Sequence, residues 1–478
     1  MQSGTRPQSR PAQRPVQRPV QRTTRPQSAA RSGYGYGGAS QGGFLGMSSA
    51  SKAILAVLAV ALLITICLAI TSKIRERQPQ PGISMAANTQ QPVTQETVQP
   101  TDEPVPTDAP TIAPTEEPTP VSSGRTARIR AIGDVIISKE MLENAVQDKK
   151  NDVYLFSPLF ELIGGVMADA DWTMINVEST FRKHKEYGYM GYPNFRTPPS
   201  ILDVLKECGV DMLTMCNNHA LDGYFDGLKD SLNFADAAGL EHVGAYRTQE
   251  EFDTPEVYDI NGIQVGMLNY TQYTNSMAEL SDKNATIYGM RLMDGADYEG
   301  DIADLKNAGA EFVIAIMHWG KEYIREPESS TKAVAKRLVA AGADLVIGGH
   351  PHVVQPAEYI TATQADGTEN TALVVYSIGN FVSDHRHKNQ PYTDNGVILD
   401  FTLQENGAGE IELASPAFIP VYVWQDDADG PAEYRALPSG QYLDNPPADM
   451  STGEYTRMRD SWNEIVDLVN GVIPVIAG

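Results

Sequence analysis

Apolar and polar positions divide this chain into stretches of very different kind. Ala53 to Ile70 is an apolar run interrupted only by Thr65. At about 1.5 Å per helical residue it approaches the ~30 Å hydrocarbon core of a bilayer. It has no polar face, so it predicts a transmembrane helix over 51–73 rather than a helix of a soluble core. From Arg125 onward, short apolar runs alternate with amphipathic ones. Arg128–Ile132, Trp172–Val177, Met212–Met215, Phe312–Met317 and Asp344–Ile347 read as buried strands. Pro158–Met167, Ile201–Lys206, Leu228–Ala238, Ile302–Ala308 and Lys332–Ala341 read as helices between them. Asn261-Gly262 turns a hairpin within Ile260–Leu268, after a short strand at His242–Val243. Ala372–Tyr376, Val397–Leu403, Ile411–Leu413 and Phe418–Val423 are further strands. The alternation predicts an α/β fold, and the late strands add a mostly antiparallel part. Near the C-terminus, Ser451-Thr452-Gly453-Glu454 is a capping box, and Tyr455, Met458, Trp462 and Ile465 line one face of the helix it opens.

Composition sharpens the boundaries. Residues 1–50 carry seven arginines and no acidic residue, within a chain of net charge −24. This first segment is Gln/Arg/Pro-rich, with Gln-Arg-Pro-Val repeated at Gln13–Val16 and Gln17–Val20, and it reads as a disordered basic tail. Residues 74–124 are a Pro/Thr/Glu-rich linker. The folded domain spans 125–424, and 425–478 form an extension with a packed helix. The arginine-rich flank before Ala53 predicts a cytoplasmic tail and a single-pass anchor in the cell membrane, with the large domain extracytoplasmic. An acidic folded region argues against nucleic acid as a partner. Cys67, Cys208 and Cys216 form no disulfide framework; Cys208 and Cys216 read as two buried thiols.

The chemistry sits where the strands stop. Gly348-Gly349-His350-Pro351-His352 follows a buried strand, and Pro351 places both imidazoles on a stiff turn. The two glycines let the backbone approach a ligand closely. Asp134, Glu178, Asn218 and His318 likewise follow directly on apolar strands. In open α/β sheets the carboxyl ends of strands form the ligand crevice. Carboxylates, imidazoles and an amide carbonyl meeting there suit one or two divalent ions such as Mn, Zn or Fe.

Gly133-Asp134-Val135, Asn176-Val177-Glu178, Asn217-Asn218-His219-Ala220-Leu221-Asp222, His318-Trp319-Gly320-Lys321-Glu322-Tyr323, Gly349-His350-Pro351-His352-Val353-Val354-Gln355-Pro356 and Ser377-Ile378-Gly379-Asn380-Phe381 occur in this order over about 126–424. In these blocks the chain resembles the CapA family of poly-γ-glutamate capsule-biosynthesis proteins, within the calcineurin-like metallophosphoesterase superfamily. The resemblance implies a metallophosphoesterase-like α/β sandwich. It implies Asp134 and His352 on one metal, Glu178 bridging, and Asn218, His318 and His350 on a second. His219 would protonate a leaving oxygen or stabilise charge, with Asp222 orienting it, and a metal-activated water would attack. Position 136 is Ile where the superfamily's Asp-x-His places an imidazole, and Glu178 replaces a shorter Asp. Arg196 could receive a carboxylate or phosphate, and Glu322 and Asn380 could line the same crevice. The expected function is a metal-dependent, hydrolase-like role in making, releasing or anchoring an anionic capsule polymer, within a membrane capsule-synthesis complex. Its rivals are a phosphoesterase acting on a phosphorylated envelope substrate and a non-catalytic polymer-binding subunit.

Overall fold

The computed structural model describes residues 124–183, 188–427, 432–469 and 471–478. The expected tail, membrane anchor and nearly all of the linker lie outside the described residues. Among the described residues no helix is long and apolar enough to cross a membrane.

The chain forms strands β1 (Thr126–Val135), β2 (Trp172–Val177), β3 (Met212–Thr214) and β4 (Glu241–Val243). The hairpin β5 (Val257–Ile260) and β6 (Ile263–Thr271) follows, then β7 (Phe312–His318) and β8 (Leu345–Gly349). The remaining strands are β9 (Val354–Thr363), β10 (Glu369–Ile378), β11 (Asn380–Val382), β12 (Asn395–Glu405), β13 (Ile411–Asp426) and β14 (Glu433–Pro438). The main helices are α1 (Lys139–Ala145), α2 (Ser200–Glu207), α3 (Tyr224–Ala238), α4 (Tyr298–Asn307), α5 (Ser329–Ala341) and α6 (Thr452–Val469). One sheet runs β14-β13-β12-β1-β2-β3-β4, with β11 also paired to β1. The other runs β9-β10-β8-β7-β6-β5.

Side chains alternate faces along a strand, and here both faces are covered. Ile129, Ala131 and Met174 of the first sheet meet Val265, Met267, Ile314, Ile316, Ile347 and Val375 of the second in one inter-sheet core. Their neighbours Ile132, Ile175 and Leu213 turn outward to pack with α2 and α3. On the other side, Val313, Ala315, Val346 and Val374 pack with α4 and α5. The result is helices, sheet, sheet, helices. Each fully buried aliphatic or aromatic side chain contributes roughly 1.5–3 kcal/mol, so two sheets sharing one core are firmly registered.

Three expectations change. Pro158–Met167 is not one helix but a 3-10 turn at Ser157–Leu159 and a short helix at Gly164–Ala168. The break falls at residues 160–163, before the Gly164-Gly165 pair that opens the short helix, and the buried Arg130 guanidinium donates to the Val166 carbonyl within it. Ile411–Leu413 and Phe418–Val423 are one strand, β13, whose Ser415 has φ 48°. The register shift opposite it, between Asp400 and Thr402, marks a bulge, which the Ser-Pro step disguises as a break. β13 also crosses position 424, and β14 then extends the same sheet. Residues 425–478 therefore complete this unit rather than sit beside it. α6 is capped by Ser451, whose Oγ accepts from Glu454 N at 3.2 Å. The Glu454 carboxylate turns away from the cap to accept from Arg386 Nη2 (2.7 Å) and the Tyr422 hydroxyl (2.6 Å).

Candidate metal centre

Parallel registration brings the strand ends together. Asp134 on β1 is level with Asn176 on β2 and with Asn380 on β11. His318 on β7 is level with Gly349 on β8. Glu178 and Asn218 leave the first sheet just beyond β2 and β3, while His350 and His352 leave the second just beyond β8. The six side chains expected as ligands all meet at this edge, drawn from both sheets, and all are buried.

The turn carrying the histidines differs from expectation. Both His350 (φ 93°) and His352 (φ 57°) occupy the left-handed region. Non-glycine residues rarely adopt it, and such strain gathers at functional sites. Of the two glycines before them, Gly349 faces Asp134 Oδ1, where a Cβ would stand 3.3 Å away, but Gly348 serves another purpose. A Cβ on Gly348 would stand 1.9 Å from the Tyr376 carbonyl oxygen, so this glycine admits the neighbouring strand and not a ligand.

Glu178 lies at the centre and is fully buried, yet among the described residues neither of its carboxylate oxygens has a hydrogen-bond partner. Its Oε1 is 3.7 Å from His318 Nε2 and 3.9 Å from His219 Nε2. His318 Nε2 is also 2.8 Å from Asn218 Oδ1 and 3.2 Å from His350 Nδ1. One ring N–H can serve only one of these acceptors. On the opposite side, His352 Nδ1 is 3.4 Å from Asp134 Oδ2 and 3.1 Å from Asn380 Oδ1. Two groups of donor atoms therefore share Glu178: Glu178, His318 and His350, and Asp134, Glu178 and His352. Glu322 forms a third, more exposed group with His350 and His352. Buried acceptors facing one another without donors are costly unless a cation lies between them. The residues present thus fit divalent metal, and mixed N/O donors are the set such ions take.

The electrostatics agree. Burial resists ionisation of Glu178, but His352, His318 and His219 outweigh it and hold the carboxyl below the usual carboxylate range. Burial, together with the charges of His318 and His352, pushes His350 well below its ordinary value, which leaves a neutral ring. His352 goes the other way: against the effect of burial, Glu178 and Asp134 lift it to about 9.

Asp222 does reach His219, with Oδ2 2.6 Å from Nδ1. The same oxygen accepts from Phe195 N at 2.5 Å, and the Phe195 ring packs edge-on to the imidazole. Burial disfavours the charged His219 ring, but Asp222 and Glu178 outweigh it and raise its affinity for a proton. His219 and Glu178 line a cleft of about 880 Å³, together with Glu322, Tyr323, His352, His385 and Arg386.

Two residues expected to line the cleft do not. Arg196 sits in a two-residue strand with Nη2 3.2 Å from Met190 Sδ, and it is not among the cleft-lining residues. Alternation explains this, because Phe195 faces His219 and the next side chain faces away. Asn380 is not a cleft wall either. It is buried behind His352, with Nδ2 donating to the Thr393 carbonyl at 2.8 Å.

Sequence reasoning missed several participants. Asn176 Nδ2 donates to Asp134 Oδ1 (2.7 Å), and Asn217 Nδ2 to Asn176 Oδ1 (3.0 Å), so an amide chain orients the carboxylate. Asn275 faces His219 Nε2 at 3.2 Å, and the Tyr273 ring lies 5.1 Å from that of His350. His385 stands beside His352, and burial and the His352 charge push it down to about 4. Asn176 and Asn217 fell within the quoted motifs; only the fold could reveal the others.

Comparison with known proteins returns the profile of the family described as bacterial capsule synthesis protein PGA_cap, which matches residues 128–385. The PGA biosynthesis protein CapA of Bacillus subtilis (strain 168) is 26% identical over 284 residues, covering 59% of this chain and 69% of that protein. The capsule biosynthesis protein CapA of Bacillus anthracis is 28% identical over 209 residues, covering 44% of this chain and 48% of that one. Among solved structures, the calcineurin-like phosphoesterase YfkN of Bacillus subtilis aligns with 73% of this chain and 99% of its own, at 14% identity and a TM-score of 0.36.

Proposed function

This chain belongs to the PGA_cap family of bacterial capsule synthesis proteins, and on that premise we propose that it is a metal-dependent, hydrolase-like enzyme acting on an anionic capsule polymer of the poly-γ-glutamate type. One observation carries the metal dependence: the buried Glu178 carboxylate, shared by two donor groups and left without a hydrogen bond. Asp134 and His352 would hold one ion, Asn218, His318 and His350 the other, and Glu178 both. When bound, such ions polarise a carbonyl or phosphoryl oxygen and acidify water.

The chain's own residues do the rest. Asp222 fixes His219 through Nδ1, which leaves Nε2 toward the cleft to hold a proton for a leaving oxygen or nitrogen. Phe195 shields that pair on one side. Asn176 and Asn217 hold Asp134 in one orientation. In the same reading, 51–73 anchor the chain in the cell membrane and the folded unit lies outside the cytoplasm, in contact with a membrane capsule-synthesis complex. The apolar run Ala53–Ile70 and the seven arginines before it support that placement. Protease added to intact protoplasts should remove the folded unit, and its full protection would refute the orientation.

The enzymatic reading is tested by His219→Ala in the full chain. General acid catalysis supplies ~10²–10⁴-fold in rate, so the variant should lose that factor in polymer processing or phosphoester hydrolysis while keeping its metal. Full activity in this variant, with His350→Ala inactive, would leave a metal-dependent binding subunit as the better account.

A further inference from the structure

The two donor groups that share Glu178 are unequal. Asn218, His318 and His350 stand with it on one side and Asp134 and His352 on the other, and Glu322 groups with His350 and His352 but not with Asp134 or Glu178. Transition-metal and zinc sites take about four to six ligands, so the poorer group is short of protein donors. The side chain two residues beyond Asp134 is the buried Ile136, which offers no lone pair.

One more imidazole lies beside this poorer group. β11 runs parallel to β1, pairing Asn380 with Asp134 and Val382 with Val135. The chain therefore leaves β11 next to the strand end that carries Asp134, and the third residue after β11 is His385. Its ring centroid is 5.3 Å from that of His352. His318 and His350, which converge on one point, are 4.8 Å apart by the same measure. The chain just after it is held by the Arg386 guanidinium, which donates to the Val423 carbonyl and pairs with Glu454, and by the Arg386 carbonyl, which accepts from Asn389 N and Gln390 N, each at 2.9 Å. Its Nδ1 is 3.5 Å from Asn380 Nδ2, a weak contact that commits neither ring nitrogen.

Resting on the metal-centre reading above, we infer that His385 is the additional protein ligand of the ion held by Asp134, Glu178 and His352, reached by rotation of its side chain from the cleft wall. Position 385 on the loop then supplies the imidazole that Ile136 does not.

Cobalt(II) is the probe, loaded into the full chain and dialysed. The parent should hold about two ions per chain and His385→Ala about one, with far-ultraviolet circular dichroism unchanged. His385→Cys gives a positive signature that does not depend on losing anything: a sulfur-to-cobalt charge-transfer band over and above any that the cobalt-loaded parent shows. Parent-level cobalt in His385→Ala, or no such band in His385→Cys, overturns the inference while leaving the centre itself standing. A parent chain that binds no cobalt overturns both this inference and the reading beneath it.

Discussion

Two polar clusters in this molecule differ in one respect that decides what each can do. Around the buried Arg291, donors and acceptors balance. Its Nε donates to the Tyr246 hydroxyl (2.9 Å), Nη1 to Asp301 (3.0 Å) and Nη2 to the Phe252 carbonyl (3.0 Å). Tyr246 in turn donates to Glu256 at 2.5 Å, and Tyr270 donates to Asp301. The guanidinium lies over the Phe252 and Tyr246 rings. At the strand ends, by contrast, carboxylates, carbonyl oxygens and imidazoles face one another, and Glu178 accepts nothing. Burial and charge are common to both. A cluster that satisfies itself holds the fold together, whereas a cluster of acceptors is completed from outside.

The sharpest way to break this contrast is Arg291→Ala. Removing one partner from a buried charged network costs about 3–5 kcal/mol, so urea unfolding should show a large loss of stability. The metal content of the chains that remain folded should not change. A small loss would mean that the balanced cluster is not structural. Metal removal comes next. An ion that binds only the folded chain stabilises it by about 2.7 kcal/mol at a hundredfold excess over its Kd, so chelator should lower the melting temperature and Mn or Zn restore it. Glu178→Gln should abolish that shift without lowering the stability of the chelated chain. A fall in chelated stability as large as that of Arg291→Ala would erase the distinction between the clusters.

A smaller effect is expected from pH. Burial raises the Glu256 carboxyl from 4.5 to about 7, against the Tyr246 hydrogen bond and the Arg291 charge. The folded chain therefore holds a proton that the unfolded chain has released. Stability from this group is complete below about 4.5 and falls as pH rises toward about 7. Glu256→Gln should flatten that part of a urea-midpoint profile, and an unchanged slope would contradict the assignment. The smallest effect concerns Cys216, which joins the two clusters. Its N–H donates to Asn269 Oδ1 at 2.8 Å and its thiol to the Arg291 carbonyl at 3.1 Å. Burial pushes that thiol up to about 12. Thiol titration of the native chain should leave Cys216 unreacted until denaturant is added; prompt reaction would show that the seam between the clusters is open.

Much of the frame was legible in the sequence because buried parallel strands read as uninterrupted apolar runs. β2 was recovered residue for residue, and β1, β7 and β8 to within a few positions. That six polar side chains would converge was legible for the same reason, since each was expected directly after such a run. What escaped depends on contacts between distant segments. β9 lies at a sheet edge with an irregular pattern, its first residues buried and Glu358, Tyr359 and Thr361 exposed, so it shows no clean period of two. β14 lies in an acidic, Pro-rich stretch that only pairing with β13 orders. Arg196 was misplaced because its exposure depends on which way Phe195 turns. His385 carries no local signal, and its position follows from β11 lying against β1. Cys208 is only half-buried, unlike Cys216.

The spread of the donors along the chain sets an order in time. Of the six strand-end donors, Asp134 is made first and His352 last, with Glu178, Asn218 and His318 between them. β8, which delivers the final histidines, is flanked by β7 and by β10, whose Val375 is level with Ile347. The turn bearing His350 and His352 is therefore not fixed until residues beyond them have been synthesised and paired. A growing chain presents scattered single donors and no assembled centre. On the metal-centre reading proposed above, a loaded centre would record that the second sheet is finished.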